Sequence, residues 1–239
     1  MSSTKLNLNN FKVDEDLAEF YGILIGDGCI SKFKHQERVH YAIRIDGNSL
    51  TDIQYYQDHL RPLIKKIINR EIKVKFRKEG NCIFIMFEYR DFAIFLNNYL
   101  GFPFGKKGEI LINKEFMKNQ RYLIAILRGL FDTDGCLYFT KNNSKNRYYP
   151  IIEISTHSNT LLNQVYQVLS ELKFKVKISH FKDSVKLHGK ENLIKFMKFI
   201  GSNHPDKLSK FNYWTRFGYC PKIDELNFGK RMEKLNMGP

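Results

Sequence analysis

The sequence predicts an α+β protein made of two pseudo-symmetric αββαββα repeats, with antiparallel sheets and one helix of each repeat paired at the interface. Three observations predict it. A phrase recurs: Phe-Tyr-Gly-Ile-Leu-Ile-Gly-Asp-Gly-Cys-Ile at 20–30 and Leu-Arg-Gly-Leu-Phe-Asp-Thr-Asp-Gly-Cys-Leu at 127–137, so Asp134 follows Asp27 by 107 positions in a chain of 239. Self-similarity at a fixed spacing marks a duplicated unit. After each Asp-Gly the hydrophobic period changes from helical to alternating. Leu100-Gly101 and Ile200-Gly201 then close a helical segment in each copy.

The first copy (1–104) opens with a helix from about 14 to 26. Asp14 can cap it, and acids in its first turn suit the positive end of the dipole; Gly28 ends it. Alternation predicts strands near 29–35 and 39–46, a helix near 50–68, strands near 71–78 and 82–88, and a helix near 89–100. Residues 105–118, with Gly105 and Gly108 after Gly101 and Pro103, read as a linker. The second copy (119–217) repeats the order: a helix to about Thr133, stopped by Gly135, then strands near 136–141 and 149–156 and a helix near 159–172. Strands near 174–179 and 183–188 and a helix near 190–200 complete it, with 206–217 counted as a last helix. The tail, 218–239, shows weak periodicity and no clear role.

Apolar residues make up 43% and aromatic residues 14%, enough for a core and against a mainly disordered chain. The net charge of +14 is spread along the length and points to a polyanionic partner, nucleic acid before membrane. No run is apolar enough to span a bilayer, and Met1–Asn10 lack a signal core. Cys29, Cys82, Cys136 and Cys220 form no Cys-x-x-Cys pair, which argues against zinc and for a reducing, intracellular compartment, cytoplasm or organelle.

Three constellations carry chemistry. Ala18, Gly22 and Gly26 lie four apart on one helical stripe, matched 107 positions later by Ala125, Gly129 and Thr133. Each interior glycine costs a helix about 1 kcal/mol against alanine, so the repetition predicts that the stripes pack closely on each other. If the helices run parallel, Asp27 and Asp134 meet at their C-terminal ends, where dipole and mutual repulsion disfavour two charges. A hard divalent ion such as Mg²⁺ resolves that conflict, and carboxylate-held metals hydrolyse phosphodiesters. Third, Lys73, Lys75 and Arg77 alternate with Ile72, Val74 and Phe76, and Lys173, Lys175 and Lys177 with Phe174, Val176 and Ile178. Period two puts the cations on one sheet face and the apolar groups on the other, against helices. Lys32, Lys34, Arg38, His40 and Arg44 extend this basic face, as do Lys141, Arg147, Lys182 and Lys186, with few acids among them. Such a saddle suits double-stranded DNA, where a two-stranded ribbon enters the major groove, and the polar loop 141–147 is a candidate groove-reaching turn.

Gly22-Ile23-Leu24-Ile25-Gly26-Asp27-Gly28 and Gly129-Leu130-Phe131-Asp132-Thr133-Asp134-Gly135 resemble the motif of the LAGLIDADG homing endonucleases in their single-chain, two-motif form. The resemblance implies a monomeric, site-specific double-strand DNA endonuclease, encoded in an intron, that cuts a long asymmetric target across the minor groove and leaves short 3′ overhangs. It implies that Asp27 and Asp134 are the metal ligands, that the carbonyls of Gly26 and Thr133 help hold the ion, that Mg²⁺ or Mn²⁺ supports cutting, and that Ca²⁺ binds without supporting it. It also implies a basic residue in each active site: Lys106 or Lys107 in the first copy, Lys207 or Lys210 in the second. Ile25 replaces the first Asp of the motif. The alternative on the same fold is a maturase that binds intron RNA.

Overall fold

The structure, a computed structural model, describes residues 11–77, 79–140, 148–222 and 224–236. Helix α1 (Glu15–Asp27) starts where Asp14 accepts a hydrogen bond from the Leu17 amide. Strands β1 (Gly28–His35) and β2 (Arg38–Asn48) form a hairpin. Helix α2 (Ile53–Tyr55) then runs through a π-helical segment, Tyr56–Leu60, into α3 (Arg61–Ile68). Pro62 explains the π turn. It has no amide hydrogen and would clash with the carbonyl four residues back, so the helix widens before it. Strands β3 (Val74–Phe76) and β4 (Cys82–Glu88) and helix α4 (Arg90–Asn98) complete the first copy.

The second copy repeats this order with α6 (Gln120–Asp132), β5 (Gly135–Thr140), β6 (Tyr149–Ser155), α7 (Asn159–Glu171), β7 (Val176–Ile178), β8 (Ser184–His188) and α8 (Lys190–Phe199). Each copy has one four-stranded antiparallel sheet, ordered β1-β2-β4-β3 and β5-β6-β8-β7. Among the described residues three helices lie outside the repeat. A short α5 (Lys114–Met117) sits between the copies, α9 (Pro205–Phe217) adds to the second copy rather than closing its αββαββα unit, and α10 (Phe228–Asn236) forms in the tail that showed no clear period.

One apolar cluster runs through both copies, from Leu17, Ile43 and Phe92 to Phe131, Ile152 and Phe196, so the two halves share a core. The β1–β2 hairpin outruns the helix layer, and from Ser31 onward β1 is exposed on both faces. No helix among the described residues is long and apolar enough to cross a membrane.

Candidate active site

Helices α1 and α6 cross on the stripe of small residues. A Cβ at Gly22 would lie within 3.0 Å of the Ile126 backbone, and one at Gly129 would lie 2.8 Å from the Ile23 nitrogen. No side chain fits at either position, which is why both stay glycine. Ala18 and Ala125 are buried on the same stripe. Thr133 fills the space facing Gly26 and returns its hydroxyl to the Gly129 carbonyl at 2.9 Å. Helix α6 ends earlier than expected, at Asp132 with Thr133 as its cap, and Gly135 opens the next strand. Gly28 caps α1, though in extended backbone (φ −94°) rather than a left-handed cap. The following strand turns back so tightly that a Cβ there would meet Leu24.

The crossing brings the two acids to one place. The Asp134 carboxyl carbon lies 3.5 Å from where a Gly26 Cβ would sit, beside the end of α1 that carries Asp27. Burial pushes the Asp27 carboxyl up to about 7, and the negative charges of Asp134 and Asp52 add to the push; Lys107 and Lys207 oppose it. Asp134 is also raised, again first by burial, against Lys107, Lys207 and His157.

Of the paired lysine alternatives, Lys107 and Lys207 enter the site. Lys106 is exposed, and Lys210 pairs with Asp206 at 2.8 Å. Lys107 Nζ donates to the Ile25 carbonyl at 2.6 Å and to that of Gly26. It comes from extended chain pinned to the edge of β1, where the Gly105 amide donates to the Ile30 carbonyl at 2.7 Å. Lys207 Nζ donates to the Phe131 carbonyl in the last turn of α6 and sits 4.8 Å from the Phe131 ring centre. Burial pulls the Lys207 ammonium down to about 8, and lowers Lys107 as well, in each case against nearby carboxylates.

Beside these groups is a cavity of about 230 Å³, lined among others by Asp27, Asp52, Tyr56, Asp132, His204 and Lys207. The hydroxyls of Tyr55 and Tyr56 and His204 Nδ1 are buried there without a hydrogen-bond partner among the described residues. Sequence reading missed this polar belt. Buried Glu19 of α1 accepts from Arg128 Nη2 at 2.6 Å, His59 Nε2 lies 2.5 Å from it, and Asn203 Nδ2 donates to it at 2.8 Å. Asp132 accepts from the Ser202 hydroxyl at 2.5 Å and the Asn203 amide at 2.8 Å, and His204 Nε2 lies 3.1 Å from Asp52. The signal was present as Glu19, a carboxylate inside an otherwise apolar helical stretch.

The basic face needs correction. Strand register puts Lys75 and Arg77 on one face with Arg44, and Lys73 continues their alternation; in the second copy Lys177 and Lys186 are cross-strand neighbours, with Lys175 in phase. Lys32 and Lys34 point the other way. They share the face of Ile30, opposite Tyr41 and Val39, because period two from a buried Ile30 dictates it. Lys173 (φ 61°) and Lys182 (φ 54°) occupy left-handed turn positions, not strands. Acids are not scarce on this face: Arg44 grips Asp46 at 2.6 and 2.8 Å, Lys186 pairs with Glu153 at 3.0 Å, and His40 lies 2.9 Å from Glu88. Lys34 pairs with Glu37 and Lys175 with Glu191. Phe76, expected to pack on helices, is 52% exposed because β3 is the edge strand of its sheet, while its cross-strand partner Ile83 on β4 is buried. Arg38 is exposed at the hairpin tip. Lys141, Arg147 and the loop between them lie outside the described residues.

The comparisons with known proteins fit this geometry. Residues 121–201 match the family model of the LAGLIDADG-like domain. No curated protein matches the sequence. Among solved structures, the homing endonuclease I-DmoI in complex with DNA and Mn is 21% identical, with a TM-score of 0.56 over 80% of this chain and 98% of its own. I-DmoI in complex with DNA and Ca is 20% identical, with a TM-score of 0.54 over 77% and 86%. The I-LtrWI LAGLIDADG homing endonuclease bound to target DNA is 12% identical, with a TM-score of 0.51 over 95% and 91%. The chain therefore resembles the LAGLIDADG homing endonucleases in the fold of both copies, and matches the LAGLIDADG-like domain at residues 121–201.

Proposed function

We propose that the protein is a divalent-metal-dependent, site-specific DNA endonuclease that cuts both strands of a long asymmetric target and leaves short 3′ overhangs. The observation that carries this reading is the meeting of Asp27 and Asp134 at a helix crossing that admits no side chain, between two sheets whose outer faces bear Lys75, Arg77, Lys177 and Lys186. A fold gains nothing in stability from two partly buried acids pushed toward neutrality at helix C-termini. The donors suit a hard cation such as Mg²⁺ or Mn²⁺, which takes one or two carboxylates and leaves its remaining positions to water and phosphate. Among the described residues no group of three His, Cys, Asp or Glu could hold an ion alone, so substrate oxygens would complete the shell.

Asp27 and Asp134 would hold the cations, with a backbone carbonyl of the motif as a further donor. When bound, the cations supply polarisation of the attacking water and charge stabilisation at the leaving oxygen. Lys107 and Lys207 are fixed by backbone carbonyls at the two helix ends and present positive charge where a scissile phosphate accumulates negative charge. Lysines and arginines of the sheets bind the backbone and set the register. Both acids lie on one chain, so a monomer suffices, and unlike halves read an asymmetric site. An intron-borne gene is the origin that the resemblance implies.

Selection from a randomised duplex library in Mg²⁺, with sequencing of the cut ends, tests activity, overhang and specificity together. Recovery of one long site with staggered ends is the expected result. Binding without any cut product, or capture of RNA alone, would overturn the reading.

A further inference from the structure

The polar group buried deepest in the described residues is in the segment that sequence reading left without a role. Arg231 of α10 is fully buried. Its Nε donates to the Ser209 hydroxyl at 3.0 Å, its Nη1 to the Leu226 carbonyl at 2.6 Å, and its Nη2 to the Asp206 carboxylate. Asp206 is buried too, and its second oxygen takes Lys210 at 2.8 Å. The Ser209 hydroxyl in turn donates to the Asp206 carbonyl at 2.7 Å. An enclosed guanidinium is tolerated only when its donors are met, and an apolar residue of similar size often packs as well or better. Stability is thus a weak reason for an arginine here. What this arginine supplies is direction, because two of its three partners lie within the first five residues of α9.

The first turn of that helix carries Lys207. Pro205 opens it, and the residue before it, His204, gives no side-chain cap. The matching lysine of the first copy, Lys107, needs no such prop, since its chain is pinned to the edge of β1 by the Gly105–Ile30 hydrogen bond. The second copy delivers its lysine from a helix start instead, and α10 packs on that helix.

We infer that Arg231 is a positioning residue for Lys207: through Asp206 and Ser209, α10 fixes the first turn of α9 and so the place of the Lys207 ammonium. The inference rests on the endonuclease reading and adds that the two half-sites are held by different devices, so damage to α10 is felt by one strand of the substrate. A buried arginine of purely structural use would affect both strands alike.

The test uses the full chain, a duplex labelled on either strand, and single-turnover cutting in Mg²⁺. Lys207→Met identifies the strand served by Lys207 as the one it slows more. Arg231→Met should then slow that same strand at least tenfold, keep the other within about twofold, let nicked duplex accumulate, and leave binding in Ca²⁺ unchanged. If Arg231→Met does not fold, Ser209→Ala decides, with about a threefold slowing of the same strand. Equal slowing of both strands, slowing of the opposite strand, or no effect overturns the inference. A wild-type protein that cuts neither strand of its selected target overturns the endonuclease reading instead.

Discussion

Replacing Gly129 by alanine tests the helix crossing directly. In an ordinary exposed helix the change stabilises by about 1 kcal/mol, because alanine loses less backbone entropy. Here the new Cβ would lie 2.8 Å from the Ile23 nitrogen and 3.2 Å from the Gly22 carbonyl carbon, whereas ordinary Cβ contacts begin at 3.4 Å. The obstacle is backbone, so no rotamer relieves it. The Glu19 carbonyl oxygen is nearer still, so the helices must part by about 1 Å, and the contacts along the crossing loosen with them. Overpacking of a tight core costs about 1–3 kcal/mol, which cancels the propensity gain and leaves a net loss of up to about 2 kcal/mol. For a chain of this size that is a fall of up to about 8 °C in Tm. Gly22→Ala meets Ile126 in the same way, and the double variant should lose less than the sum, since helices already parted make room for the second methyl. Urea and thermal unfolding measure the loss, and strand-resolved cutting shows whether the acids have separated. An alanine that raises stability at either position would refute the close crossing.

Asp27→Asn should abolish or greatly slow cutting while binding survives. In metal-free buffer it should also raise Tm above pH 7, because the Asp27 carboxyl, held near 7 by burial and by Asp134 and Asp52, resists ionisation in the fold; the gain should vanish below about pH 4, and unchanged double-strand cleavage sinks the metal role. Glu19 behaves oppositely. Burial raises its carboxyl, but hydrogen bonds from His59 and Arg128 outweigh that and hold it at about 2, below the usual 4.5. Its stabilisation, on the order of 3 kcal/mol, is therefore complete above pH 4.5 and lost as pH falls toward 2. Glu19→Gln should thus be less stable than wild type at pH 6 and equal to it at pH 2, and a gap that does not close with acid removes the ion pair as its cause. Lys73→Ala should weaken DNA binding and reduce the slope of log K against log salt by about 1, and an unaltered slope strikes Lys73 from the phosphate contacts.

How legible each part was follows from how local its cause is. The helix pair was legible because a backbone contact leaves a trace that only glycine can make, written twice at one spacing. The strand faces were legible too, yet Lys32 and Lys34 were placed wrongly although Ile30, two residues earlier, fixes their side. Lys173 and Lys182 went wrong for another reason: a lysine in a left-handed turn looks like a lysine in a strand until the turn is seen. Helix α10 was hidden because the residue it buries most fully is an arginine, which hydrophobic periodicity scores as surface. The Glu19 belt showed locally only as a carboxylate in an apolar helix; what it binds was out of local reach, since its partners Arg128 and Asn203 lie 109 and 184 positions away.

That belt also bears on why two similar halves pair with each other rather than with their own kind. Offset by 107, Glu19 corresponds to Ile126 and Arg128 to Tyr21. The ion pair across the crossing is therefore made once, not twice. Two first copies placed face to face would bring Glu19 against Tyr21 and leave it with His59 but without Arg128, which is costly for a buried carboxylate. Two second copies would leave Arg128 without an acid at the same place. The small-residue stripe, nearly the same in both copies, permits all three pairings, and the polar contacts around it favour only the mixed one. Duplication supplied the symmetry that brings the acids together. The departures from symmetry, Glu19 with Arg128 at the crossing and Arg231 behind Lys207, decide which halves meet and how each lysine is held.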